Sequence, residues 1–225
     1  MNIAILLAGG VGKRAACEVP KQFVEVNHKP LIVYTLEKFQ ESEEIARICV
    51  VCVKEWIPAL KSYAEQFGIT KLDTVCEGGN TGLESLKKGL AALDCEEDDL
   101  ILIHDAVRPF VDAAIIKDNI AVAKEHDVAM TAVDCVETLV YMEKDGYAEK
   151  MIPRDYLQRI QTPQTFKYRI LKDIYHQVKT EEISEPSIFA LYMRMGNPIY
   201  CSKGNDKNIK ITYPEDIEYF KKLFS

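Results

Sequence analysis

Glycine is scarce in this chain, with 11 in 225 residues, and six of them fall in two short clusters, Gly9, Gly10 and Gly12, then Gly78, Gly79 and Gly82. The chain also lacks a set of pairable cysteines: the seven, at 17, 49, 52, 76, 95, 135 and 201, are odd in number and scattered. That excludes a disulfide framework. Cys49 and Cys52 sit in the strand-like run ICVVCV, where positions three apart face opposite sides, so they read as core residues and not as a metal or redox pair. The four histidines (28, 104, 126, 176) show no metal-ligand spacing, which excludes a zinc site. No apolar run approaches the ~20 residues of a membrane helix. The opening run Ile3–Ala8 is too short for a secretory core and has no basic residue ahead of it, so a cytoplasmic protein with no membrane partner is expected. Positive charge is in deficit, 28 bases against 35 acids for a net −7. A protein built to hold a nucleic-acid backbone needs a basic face, so nucleic acid is excluded as the main partner, while a small anionic ligand held by a few local cations is not.

What is present suffices for a sizeable core: 48% hydrophobic and 28% charged residues exclude general disorder. Short apolar runs alternate with helical patterns. Strands are expected at Ile3–Leu7, Ile48–Val53, Leu100–Ile103 and Val128–Ala132, and helices at Leu31–Phe39, Trp56–Phe67 and about Ala113–Glu125. Asn80 reads as the N-cap of a helix carrying Leu83, Leu86, Leu90 and Leu93, which recur at helical spacing. Continuous apolar strands alternating with helices predict an α/β fold with a mostly parallel sheet covered on both faces. Thr138–Met142 and Tyr147–Ile152 flank Lys144-Asp145-Gly146, a hairpin signal that breaks this rhythm and predicts a projecting arm over 136–154. A helix near Tyr168–Val178, a strand near Ile199 and a last helix complete the chain. The last helix has Thr212 and Glu215 as a capping box with Pro214 in its first turn. One domain over 1–225 with a protruding arm is the simplest organisation.

The first strand runs into Ala8-Gly9-Gly10-Val11-Gly12-Lys13-Arg14. Backbone without side chains lets a polyphosphate approach peptide N–H groups, and adjacent cations supply charge. A P-loop does not fit, because Leu7 stands at its first glycine and Arg14 at its hydroxyl position. Gly10-x-Gly12-x-x-Ala15 matches a dinucleotide fingerprint, yet the acid that should close the next strand about 20 residues on is missing; that strand comes only at Ile48, and Glu37 and Glu41 lie on or beside a helix. A nucleotidyltransferase loop remains, its triphosphate countered by Lys21 in Val19-Pro20-Lys21-Gln22-Phe23. Downstream, LILIHDAVRPF puts Asp105 just past a buried strand, at the edge where open α/β sheets bind ligands. A carboxylate there suits Mg²⁺, which takes one or two protein carboxylates plus phosphate oxygens. A merely structural Arg108 would pair with an acid nearby.

AGGVGKR with the following PKQF resembles the IspD/TarI group of cytidylyltransferases, which make CDP-linked polyols. Gly78-Gly79 with Ser85, the run His104 to Phe110, Thr162-Pro163-Gln164 and Asn208 to Thr212 follow in the family's order over nearly the whole chain. The resemblance implies a Rossmann-like nucleotidyltransferase fold that transfers CMP from CTP to a polyol phosphate. It assigns Arg14, Lys21 and Lys210 to transition-state charge. It places Ala8, Gly9, Gly10, Gly12, Lys13, Gly79, Asn80, Ser85 and Asp105 around the nucleotide, with Asp105 also on Mg²⁺. Arg108, Thr138, Arg154 and Ser184 are assigned to the acceptor, the arm clasping a second subunit in a homodimer.

The family divides between methylerythritol 4-phosphate and ribitol 5-phosphate as acceptor. Ser184-Glu185-Pro186-Ser187 departs from the methylerythritol pattern, and HDAVRPF, IPRDYLQRIQTPQTF and TAVDCVETLV look closer to ribitol-type sequences, so ribitol 5-phosphate is the expected acceptor and methylerythritol 4-phosphate the alternative. Gly82 stands where the family usually has an arginine. A non-catalytic nucleotide or sugar-phosphate binder is the alternative of another class, and a nicotinamide dehydrogenase a third.

Overall fold

The computed structural model describes residues 1–10, 19–143, 146–178 and 187–223. Strands β1 (Asn2–Ala8), β2 (Glu25–Val26) and β3 (Lys29–Pro30) precede helix α1 (Leu31–Glu41), then β4 (Arg47–Cys52), α2 (Ile57–Gln66), β5 (Leu72–Glu77) and α3 (Gly82–Ala91). There follow β6 (Leu100–Asp105), α4 (Ala113–His126), β7 (Val128–Asp134), β8 (Leu139–Met142), β9 (Ala148–Ile152) and β10 (Gln158–Lys167). The described part closes with α5 (Tyr168–Gln177), α6 (Ile188–Arg194), β11 (Cys201–Lys203) and α7 (Pro214–Leu223). Among the described residues no helix is long and apolar enough to cross a membrane.

Seven strands form one sheet in the order β11-β7-β10-β6-β1-β4-β5. All neighbours are parallel except β10, which runs antiparallel between β6 and β7. Because side chains alternate across a strand, Ala4 and Leu6 of β1 join Ile48 and Val50 of β4 in a core under α1, α2 and α4. Ile3 and Ile5 join Cys49 and Val51 in a second core under α3, α5 and α6. Cys49 and Cys52 thus lie on opposite faces, both buried. Helix α3 approaches the sheet closely at Gly89, where an added Cβ would stand 2.8 Å from Val51 Cγ2.

Several expectations need correcting. Thr81, not Asn80, caps α3: its Oγ1 accepts the Glu84 N–H (3.1 Å), and the Glu84 carboxylate accepts the Asn80 N–H (2.7 Å). The hydroxyl stands three residues before Glu84, the spacing a capping box requires, and Asn80 lies one residue too early. At α7 the acid is Asp216, which accepts the N–H groups of both Thr212 and Tyr213 (2.7 and 2.8 Å), while the Thr212 hydroxyl donates to the Lys210 carbonyl (3.1 Å). The strand expected near Ile199 lies at Cys201–Lys203. Strands β5 and β10 and helix α6 had no counterpart in the sequence reading. The hairpin is present as β8 and β9; Lys144 and Asp145 lie outside the described residues.

A buried polar knot ties the antiparallel insertion to the parallel half. Asn119 on α4 is fully buried and donates to Thr131 Oγ1 on β7 (3.1 Å) and Ser202 Oγ on β11 (2.8 Å), while Thr165 on β10 donates to its Oδ1. Asn119→Leu should lower the unfolding free energy by about 3 kcal/mol, because it strands buried hydroxyls that have no access to water. Urea denaturation checks this, and a loss below about 1 kcal/mol would show the knot to be dispensable.

Candidate functional site

The ends of β1 and β6 open into a cleft of about 550 Å³. One wall is the backbone of Ala8, Gly9 and Gly10, and the facing wall is Gly79, Asn80 and Ser85. The two glycine clusters of the sequence meet here. A Cβ at Gly78 would lie 3.4 Å from Gly9 Cα and 3.1 Å from Ser85 Oγ, and one at Gly79 would overlap Glu84 Cβ at 2.3 Å. Ser85 Oγ accepts the Gly79 N–H at 3.0 Å. Gly82 also lines the cleft, but an added Cβ there meets nothing within 4 Å. Its wall has open space where the family pattern would put an arginine.

Three cations and one acid occupy the floor. Lys210 Nζ donates to Asp105 Oδ1 (2.8 Å), and Arg108 Nε to Asp105 Oδ2 (3.0 Å). Arg108 Nη1 also donates to the Asn208 carbonyl (2.8 Å), and Lys21 Nζ to the Ile211 carbonyl (2.8 Å). Burial pushes the Asp105 carboxyl up, but Lys210 and Arg108 outweigh it and hold the group below the ordinary carboxylate range. Arg108 does meet the acid that a structural arginine would need, and it lines the cleft as well.

His104 holds this floor from behind. It is fully buried, and burial lowers its pKa to about 3, so the ring is neutral. The Thr162 hydroxyl accepts the Asp105 N–H (3.2 Å) and turns its own proton to His104 Nδ1 (2.9 Å). The imidazole proton is left on Nε2, which faces the Arg108 carbonyl at 3.3 Å. Gln22 is buried as well, and its amide donates to the carbonyls of Ala8 (2.6 Å) and Gly10 (2.9 Å). In the sequence both residues stand inside the runs that carry the resemblance, PKQF and His104 to Phe110, but nothing there gives either side chain a role.

Of the residues expected at a site, the structure brings Ala8, Gly9, Gly10, Gly79, Asn80 and Ser85 to the same cleft as Lys21, Asp105, Arg108 and Lys210. Thr138 and Arg154 are not among its lining; they lie at the root of the arm, where Arg154 Nη1 donates to the Val136 carbonyl (3.1 Å). Gly12, Lys13, Arg14 and Ser184 lie outside the described residues. Among the described residues no group of three or more His, Cys, Asp or Glu could hold a metal ion. Asp105 alone fits Mg²⁺ in the one-carboxylate mode that relies on substrate phosphates. Each of its oxygens, though engaged by a cation, keeps a second lone pair.

The model of the family described as IspD, 2-C-methyl-D-erythritol 4-phosphate cytidylyltransferase, matches residues 2–223. A ribitol-5-phosphate cytidylyltransferase of Lacticaseibacillus paracasei is 38% identical, over 98% of this chain and 97% of that one. A 2-C-methyl-D-erythritol 4-phosphate cytidylyltransferase of Clostridium perfringens is 37% identical, over 98% of each. The crystal structure of 4-diphosphocytidyl-2C-methyl-D-erythritol synthase from Anaerococcus prevotii superposes with a TM-score of 0.86 at 26% identity, over 99% of this chain and 97% of that one.

The ion pairs at Asp105 carry a pH signature. Its carboxyl titrates lower in the folded chain than the ordinary value of about 3.9. The stabilisation is therefore complete above that value and is lost as pH falls through the folded one. Asp105→Asn should lower the unfolding free energy at pH 7, and its gap to the wild type should narrow below about pH 4. Denaturation series at stepped pH check this, and a gap independent of pH contradicts it.

Proposed function

The chain belongs to the 2-C-methyl-D-erythritol 4-phosphate cytidylyltransferase (IspD) family, and from that membership we propose that it transfers CMP from CTP to D-ribitol 5-phosphate, releasing pyrophosphate. The observation that carries the reaction class is the pairing of Arg108 and Lys210 on Asp105 in a glycine-walled cleft that Lys21 also lines. The ribitol acceptor is supported by the relatives named for it at 38% identity. The methylerythritol acceptor, favoured by the Clostridium relative at 37%, is the alternative.

A phosphate monoester is largely dianionic at pH 7, its second pKa being about 6, so the acceptor needs no general base and no covalent enzyme intermediate. An acceptor oxygen attacks the α-phosphorus of CTP, and the bond to the bridging oxygen breaks as pyrophosphate leaves. The barrier is repulsion between anions and charge build-up at phosphorus, which positioned cations lower. Arg14, Lys21 and Lys210 would meet that charge, while Arg108 and Ser184 hold the acceptor. Amides of Gly9, Gly10, Gly12 and Gly79, with Lys13, Asn80 and Ser85, would surround the nucleotide. Asp105 would hold Mg²⁺ together with the nucleotide's phosphates, the ion supplying further charge neutralisation there.

The same reading makes the enzyme a cytoplasmic homodimer of one catalytic domain per chain, joined through the arm. A lone two-stranded ribbon is marginal in water, and β8 and β9 expose Val140, Tyr141, Met142 and Met151. Such an apolar surface fits a second copy, whose arm would bring Thr138 and Arg154 to the neighbour's acceptor.

Two measurements test this. Enzyme with Mg²⁺, CTP and each acceptor should release pyrophosphate with ribitol 5-phosphate in preference to methylerythritol 4-phosphate, and Lys210→Ala should cut turnover by roughly 10²–10³ in a folded protein. Pyrophosphate from neither acceptor, with CTP still bound, would favour a non-catalytic binder. Val140→Asp with Met151→Asp should convert a dimer to a monomer by light scattering and abolish turnover. A monomeric wild type with full activity would end the dimer reading.

A further inference from the structure

We infer that Gln22 is a positioning residue for nucleotide binding, whose amide holds the carbonyls of Ala8 and Gly10 at the start of the first glycine loop so that the Gly9 N–H, and not these carbonyls, meets the triphosphate. This rests on the proposed use of CTP. Ala8 is the last residue of β1 and Gly10 lies two residues past it; both line the cleft, and a polyphosphate set opposite two bare carbonyl oxygens there would be repelled. One side-chain amide carries two N–H donors; that of Gln22 engages both carbonyls, at 2.6 and 2.9 Å. In a trans peptide the N–H points opposite to the preceding carbonyl, so tying the Ala8 oxygen to Gln22 turns the Gly9 N–H to the other side.

The amide is itself held in place. Gln22 sits in a 3-10 turn, Lys21–Phe23. Phe23 is buried and stacks on Trp56 with ring centroids 4.4 Å apart and planes 17° from parallel. On its other side, Lys21 reaches the Ile211 carbonyl. The Gln22 side chain is 1% exposed although it borders the cleft, so it faces the loop and not the solvent. Three consecutive residues thus perform three tasks: a cation for the site, a clamp for the loop and an anchor in the core.

The test compares Gln22→Met, of similar length without donors, with Gln22→Glu, whose carboxyl donates only when protonated. Gln22→Met should raise the KM for CTP about tenfold, with the KM for the acceptor changed less than twofold. In Gln22→Glu the KM for CTP should rise steeply between pH 5.5 and 8, relative to a wild type assayed in parallel, because the carboxylate repels both carbonyls while the acid satisfies one. A merely space-filling glutamine would produce no such difference. A KM for CTP within twofold of the wild type in both variants would overturn the inference. So would equal rises in both KM values, or failure of both variants to fold at 25 °C, which would make Gln22 a core residue only. Failure of the CTP reading itself shows separately, as a wild type that neither binds nor turns over CTP.

Discussion

Three cations converge on one cleft in a chain of net charge −7, and the Asp105 carboxylate shared between two of them is the contact on which the rest depends. Like charges near a protein surface repel, so an anion between Lys210 and Arg108 offsets the cost of holding both on one carboxylate. Asp105 supplies it, joining β6 to a segment 105 residues further along the chain. The backbone completes the arrangement: Ile211 N–H donates to the Val107 carbonyl (3.0 Å) and Ala106 N–H to the Leu7 carbonyl (3.2 Å). The ends of β1 and β6 and the segment before α7 are thereby locked into one unit.

The parts of this design that the sequence displayed are those whose cause is local. Parallel strands buried on both faces must be apolar throughout, so β1, β4, β6 and β7 announced themselves. Among the glycines of the cleft, Gly79 cannot be replaced without collision and Gly78 leaves only tight contact for a Cβ, and in a glycine-poor chain they stood out. Strand β10 was illegible for the opposite reason. Its first residues are exposed, its register shifts between Ile160 and Gln164, and Pro163 interrupts the pattern; only tertiary pairing with β6 and β7 makes it a strand. The caps at Thr81 and Asp216 were misplaced by one residue each: Thr81 by overlooking its capping-box spacing to Glu84, Asp216 because neighbouring acids compete for the same amides and the backbone decides between them.

At the site, the sequence marked the groups that bear charge and missed those that hold them. Lys21, Asp105, Arg108 and Lys210 are chemically conspicuous. Gln22 and His104 are not, since a buried glutamine and a neutral imidazole act only through partners that the fold brings near. His104 shows the consequence. With Thr162 occupying Nδ1, its remaining proton faces the carbonyl of Arg108, so a residue without net charge fixes the turn that carries one acid and one base.

Exposure separates the two bases that share the acid. The Arg108 side chain is 12% exposed, with Nε on Asp105 and Nη1 on a backbone carbonyl, whereas that of Lys210 is 39% exposed. A fork fastened at two points keeps its place, and a single ammonium on a flexible stem can turn from a carboxylate to a phosphate at little cost in reorganisation. In the proposed reaction Arg108 would accordingly serve as a fixed receptor for an anion, and Lys210 as a charge that follows one. Asp105 holds the second at 2.8 Å, and in that reaction a stronger anion would have to compete for it. That division requires Asp105 to be ionised, which the two cations themselves secure by holding its carboxyl below the ordinary range.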